Sequence, residues 1–183
     1  MDARRIFRSA NFNLLLATVI CGLLLFAPLG YAHNLGEGVY AWLHGSWIRI
    51  ESMDPITGEA HFETIRFFAY LPILAYSILT AVLTALFAYV TYVNDNDHKK
   101  IRWAWVACGG VLVQVILSLI IVGRLTAFVG EAEPGEIEDH IQAQFFLHAF
   151  PIVLTLLAIG SLRRNLRKNE FMKPEAGDSV SMT

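Results

Sequence analysis

Four stretches of this chain run for twenty residues or more without Asp, Glu, Lys or Arg. They lie between Arg8 and Glu37, Arg66 and Asp95, Arg102 and Arg124, and Asp139 and Arg163. A helix rising about 1.5 Å per residue needs roughly 20 apolar residues to cross a hydrocarbon core of about 30 Å. The runs are continuously apolar, not dyad-alternating, which excludes a membrane β-barrel. The pattern predicts an all-α integral membrane protein, an antiparallel four-transmembrane-helix bundle with helices near 11–31, 66–93, 102–129 and 139–162. Residues 1–168 form the membrane domain and 169–183 a polar cytoplasmic tail. The first run also has the basic start and small residues (Gly30, Ala32) of a signal peptide, but its apolar length favours a retained helix.

Composition agrees. Of 183 residues, 55% are hydrophobic and 16% charged, too apolar for a soluble core of this size. The net charge of −2 offers no argument for nucleic acid. Cys21 and Cys108 both fall in apolar runs and form no redox motif.

Charge asymmetry predicts orientation. Arg4, Arg5 and Arg8 precede the first helix, Lys99, Lys100 and Arg102 follow the second, and Arg163, Arg164, Arg167, Lys168 and Lys173 follow the fourth. The opposite side receives Glu37, Glu51, Asp54, Glu59, Glu63, Glu131, Glu133, Glu136, Glu138 and Asp139. The positive-inside rule makes both termini cytoplasmic, as in a bacterial inner membrane. The outer loop, 32–65, contains SWIRIESM and EAHFETI around DPITG, an alternating pattern with turn formers that predicts a β-hairpin. Before it, LGEGVYAWLHG suits a short interfacial helix.

Polar residues inside a membrane are costly and invite functional readings. Arg124 offers a planar cation for a lipid headgroup, a quinone oxygen or a haem propionate, or else snorkels to the interface. His140, Gln144 and His148 recur at i, i+4 and i+8, which on a helix makes one inward-running stripe. His148 or His140 could ligate haem b. Alternatively the stripe is interhelical glue, hydrogen-bonded to Ser118, Gln114 or a tyrosine. His33, His44, His61 and Glu63 supply imidazole and carboxylate for a copper or zinc site at the outer surface, without a diagnostic spacing.

The run LVQVILSLIIVGRLTAF followed by DHIQAQFFLHAF resembles one four-helix half of the haem A synthases. That resemblance implies Gln114 as the family's helix 3 glutamine and His140 or His148 as the haem ligand. The chain departs from the pattern at Arg66, which stands where the family's Glu-x-x-His-Arg motif has histidine. It also lacks the second half and the outer-loop cysteines.

The expected function is an auxiliary or anchoring subunit of a larger energy-transducing membrane complex, touching membrane lipids and other membrane subunits. A small cytochrome b-like or quinone-reactive protein using His148, His140, Arg124 and Gln144 is the alternative. An oligomeric channel or carrier for a metal or small solute is the third.

Overall fold

The computed structural model describes residues 9–54, 56–66, 69–92, 97–130 and 137–171, and the side chains of residues 139, 140, 144 and 169–171 fall outside that description. In chain order the elements are α1 (Ala10–Leu23), β1 (Pro28–Asn34), β2 (Val39–His44), β3 (Trp47–Met53), β4 (Ala60–Arg66), α2 (Leu71–Tyr92) and α3 (Asp97–Val122). A 3-10 turn over Leu125–Phe128, strand β5 (Ile137–Ile141), a 3-10 stretch over Ala143–His148 and α4 (Ala149–Phe171) complete it.

The helices form one layer. α1 packs on α2 and α4, and α3 packs on the same two, so neighbours in sequence are neighbours in space. Their shared interior mixes small and large apolar side chains: Ala10, Ala17, Ala104, Ala107 and Ala158 are buried beside Leu14, Phe87 and Val111. Other large apolar side chains point the other way. Ile78, Val82, Leu112, Ile116, Ile120, Val153 and Leu157 are each half exposed or more. Small residues inside let helix backbones approach closely, and an apolar exterior matches a hydrocarbon solvent instead of water. Three helical segments, Leu71–Tyr92, Asp97–Val122 and Phe145–Lys168, are long and apolar enough to cross a membrane. At the end away from the sheet, the buried Lys100 donates to Asn11 Oδ1 at 3.0 Å and ties the start of α3 to the start of α1.

The strands form one antiparallel sheet in the order β4-β3-β2-β1-β5. Strands from the α1–α2 connection and from the α3–α4 connection therefore meet side by side, with Tyr31 opposite His140. One sheet face packs on the helix ends. Ala32, Ala41, Leu43 and Ile48 share a core with Leu24 after α1, Ile73 and Tyr76 of α2, and Ile121 and Val122 of α3. The sheet sits where the helices end.

The expected all-α four-span bundle is corrected in four places. The helix predicted over 11–31 is 14 residues long, ending at Leu23, about 21 Å against a core of about 30 Å. Pro28 lacks a backbone donor and disfavours helical geometry before it, and the apolar residues beyond become β1. The interfacial helix predicted over LGEGVYAWLHG is strand β2, which pairs on both sides. The second helix begins at Leu71, not 66, because β4 claims residues through Arg66. The third and fourth helices shorten at their sheet ends: α3 stops at Val122, and β5 with a 3-10 stretch occupies the start of the segment predicted helical over 139–162.

The predicted hairpin around DPITG forms as β3 and β4, paired from Trp47 opposite Arg66 to Met53 opposite Ala60. Asp54 Oδ1 accepts the amides of Ile56 (2.8 Å) and Thr57 (3.3 Å). Gly58 closes the turn at φ 69°, a conformation glycine adopts without penalty. Residues 1–8, with Arg4, Arg5 and Arg8, and residues 172–183 of the expected tail lie outside the described residues, as do Glu131, Glu133 and Glu136.

Candidate functional site

Two polar systems stand out, one inside the helical layer and one on the sheet. The inner one starts at His148, only 2% exposed, where the 3-10 stretch hands over to α4. Its Nδ1 lies 2.7 Å from Phe145 O and its Nε2 lies 2.9 Å from Tyr76 Oη. A carbonyl can only accept, so in the neutral ring Nδ1 carries the proton and Nε2 receives the Tyr76 hydroxyl. Both ring nitrogens are spent within the protein. Four residues on, Thr80 Oγ1 donates to Tyr76 O (2.8 Å) and accepts from Gln114 Nε2 of α3 (2.7 Å). The seam thus links α2, α3 and the start of α4 by side chains. Gln114 Oε1 is buried without a hydrogen-bond partner among the described residues.

The predicted His140–Gln144–His148 stripe does not form as one helical face. His140 lies on β5, Gln144 in the 3-10 stretch and His148 at its end, because pairing of β5 with β1 takes the backbone that a longer helix would have used. The side chains of His140 and Gln144 lie outside the described residues. Arg124 is exposed and leads the 3-10 turn after α3, so it and the buried His148 occupy different environments. Of the tyrosine, glutamine and serine weighed as partners for His148, Tyr76 is the one that bonds it. Ser118 turns back to Val115 O at 2.8 Å.

The sheet system occupies the face turned away from the helices. Its rows are read from the strand register. Glu138, His33, Tyr40, Glu51 and Phe62 lie side by side, as do His140, Tyr31, Trp42, Arg49 and Thr64. The rings of His33 and Tyr40 stack at 3.7 Å, Tyr31 and Trp42 lie 5.0 Å apart, and His44 stacks on Trp47 at 4.7 Å. The Arg49 guanidinium sits 4.4 Å over the Phe62 ring. Pro28, Trp42, His44, Arg49 and Glu51 line an open pocket of about 370 Å³ on this face.

The four residues expected to hold a metal are divided. His33 and His44 belong to this outward face, whereas His61 and Glu63 sit on alternate rows, exposed on edge strand β4. Among the described residues no group of three or more His, Cys, Asp or Glu side chains is assembled for a metal ion.

Where sheet meets helices, the bonds go to backbone. Ser46 Oγ donates to Leu25 O (2.8 Å), His44 Nδ1 faces Phe26 O (3.3 Å), and Ser77 Oγ donates to Gly45 O (3.2 Å). A Cβ on Gly45 would lie 1.9 Å from Leu24 O, so only glycine admits this approach. Burial holds His44 below its ordinary pKa. The bond to Phe26 O pulls the other way, and the positive charge of Arg49 adds to the lowering. Asn34, fully buried, is a second joint. Its Nδ2 donates to Val129 O (2.9 Å), and its Oδ1 accepts the amides of Gly36 (3.0 Å) and Glu37 (3.2 Å). Sequence reasoning missed Asn34. The signal was the Asn-x-Gly-x-Gly run at 34–38, a turn composition with an amide before it. It also missed Tyr76, which looked like one more apolar residue of α2. Compared with known protein families and with characterised proteins, the sequence matches none.

Proposed function

We propose that the chain is an integral membrane protein that serves as a docking subunit, presenting its sheet at the membrane surface to a larger membrane complex. One observation carries the reading: the sheet is clamped onto the helix ends through backbone bonds, while its outward face holds paired rings, Arg49 and an open pocket. A rigid platform with aromatic and arginine side chains at its surface has the composition from which interface anchors are drawn. The apolar side chains on the helix exterior, together with small residues at buried helix positions, support the membrane setting. The end of the layer opposite the sheet carries Lys99, Arg102, Arg163, Arg164 and Arg167, a distribution that supports a cytoplasmic setting for that end and an outer one for the sheet under the positive-inside rule. Extraction in mild detergent followed by cross-linking tests the reading. Stable co-purifying membrane subunits, cross-linked from the strands that carry Trp42 and Arg49, are expected. A monodisperse single chain with no cross-linked partner sinks it.

A second reading, electron transfer at the helical seam, draws on the unpartnered Gln114 Oε1. It requires His148 to exchange Tyr76 for haem or a quinone. A Soret band, or a quinone extracted in stoichiometric amount from the purified chain, is the observation that would favour it over docking.

A further inference from the structure

Two cavities lie on either side of the Phe26, Trp47 and His44 rings near the β2–β3 turn. The upper is the pocket of Pro28, Trp42, His44, Arg49 and Glu51 on the outward sheet face. The lower is a groove of about 300 Å³ lined by Leu25, Phe26, Ser46, Ser77, Ile78 and Ala81, at the end of α1 and the flank of α2. Ring contacts link their linings: the Phe26 ring lies 6.2 Å from Trp47, Trp47 stacks on His44, and His44 Nδ1 faces Phe26 O. The groove is dominated by apolar side chains at the level of the apolar helix ends. The pocket is polar and lies beyond them.

The polar groups of the pocket come in opposite kinds. A guanidinium stacked on a ring keeps its N–H groups in the plane of the fork, so Arg49 remains a donor to a phosphate while it lies over Phe62. Glu51, two residues along the same strand and roughly 7 Å away, is a carboxylate acceptor on the same face. His44 has its Nδ1 proton directed to Phe26 O, which leaves Nε2 as an acceptor. Trp42, the cross-strand partner of Arg49, supplies a ring face to a cation. One cation, two acceptors and an indole beside an apolar groove complement a molecule that is anionic at one atom, ammonium-like at the next, and a hydrocarbon chain below.

We propose that the pocket and groove together hold one zwitterionic phospholipid, with its phosphate on Arg49, its amine against Glu51, His44 and Trp42, and an acyl chain along Phe26, Ile78 and Ala81. The proposal rests on the membrane reading above. A lipid held there would cement the joint between sheet and helices at the bilayer surface.

The test uses the full chain, extracted in mild detergent, exchanged into equal amounts of phosphatidylethanolamine and phosphatidylglycerol, and weighed intact by native mass spectrometry. One retained phosphatidylethanolamine per chain is expected. Glu51→Gln should lower the ethanolamine-to-glycerol ratio about tenfold, the loss of one charge-assisted contact, while the amount of lipid stays the same. Arg49→Gln should lower retention of both lipids, and so should Ala81→Phe, which fills the groove without touching the pocket. Excess glycerophosphoethanolamine, the headgroup without chains, should not displace the lipid. Equal retention of both lipids by the unaltered chain, retention of neither, or displacement by the headgroup alone would overturn the proposal. Alkaline extraction of the starting membranes separates this from the reading beneath it. A chain that stays in the pellet but holds no ethanolamine lipid refutes the site alone, whereas a chain released to the supernatant refutes the membrane reading and the site together.

Discussion

The sheet–helix joint and the helical seam both bury polar groups, but their bonds between elements go to different partners. At the joint, Ser46, Ser77, His44 and Asn34 all reach backbone carbonyls: Leu25 O, Gly45 O, Phe26 O and Val129 O. In the seam, His148 meets Tyr76 and Gln114 meets Thr80, side chain to side chain. Backbone partners cannot be moved without moving an element, and they require the close approach that Gly45 permits. Side-chain partners can be exchanged in pairs for apolar groups of similar shape. The joint should therefore be brittle and the seam tolerant.

The largest effect is expected from Gly45→Ala. Its Cβ would lie 1.9 Å from Leu24 O and 2.7 Å from Leu25 Cα, both backbone atoms. Relief requires the β2–β3 turn to lift off α1, at a cost of about 3 kcal/mol or more. Thermal unfolding in detergent, read alongside tryptic cutting at Arg49 and Arg66, would register it, and an unaltered melting profile would contradict the close packing of the joint.

Asn34→Ala comes next. It removes the donor to Val129 O and the acceptor for two amides at a fully buried position. About 2–3 kcal/mol is expected. Hydrogen exchange should then accelerate at Gly36, Glu37 and Gly38 before it does in α2. Uniform acceleration throughout the chain would mean that Asn34 is no local clamp.

The seam should respond less. His148→Leu alone strands the Tyr76 hydroxyl, but His148→Leu with Tyr76→Phe removes both partners. The coupling between them should be near 0.6 kcal/mol, the average for interhelical hydrogen bonds in membranes. Gln114→Leu should change stability by about 1 kcal/mol or less, since it deletes the donor to Thr80 Oγ1 together with an acceptor that has no partner among the described residues. A coupling of several kcal/mol would erase the contrast with the joint and favour a functional seam.

The smallest effects are pH-dependent ones on the sheet. His44 should titrate below the usual 6.5, with burial as the main cause. The folded state favours its neutral form, so this contribution is complete above pH 6.5 and declines as pH falls through the lower folded value. Asp54 is held below the usual 3.8 by the amides of Ile56 and Thr57. Its contribution is present above pH 3.8 and disappears as pH falls through the folded value. NMR titration of both side chains checks the signs. A His44 value above 6.5 would show that the joint does not bury the ring.

Each of these regions was legible to a different degree. The DPITG hairpin could be read locally, because Asp54 bonds amides two and three residues away. His148 could be singled out as a polar group in an apolar run, and its partner type named, but Tyr76 lies 72 residues earlier and nothing near it marks it. Arg49 and Glu51 were plain strand residues, and Trp42 part of an expected interfacial helix, until the register put them around one pocket.

What the chain by itself determined was set by solvation and local bonding: long apolar helices, because twenty uncharged residues in a row are costly to place in water, and the turn that Asp54 caps. The tertiary structure decided where helix yields to strand. Residues 24–31 are apolar enough for either, and strand β1 prevails because β2 and β5 supply its backbone partners, with β5 more than a hundred residues away along the chain. The same pairing removes His140 from a helical stripe and makes the outer connections one sheet. Hydropathy records how much a residue avoids water, and it carries no information on which distant backbone will satisfy its N–H and C=O groups.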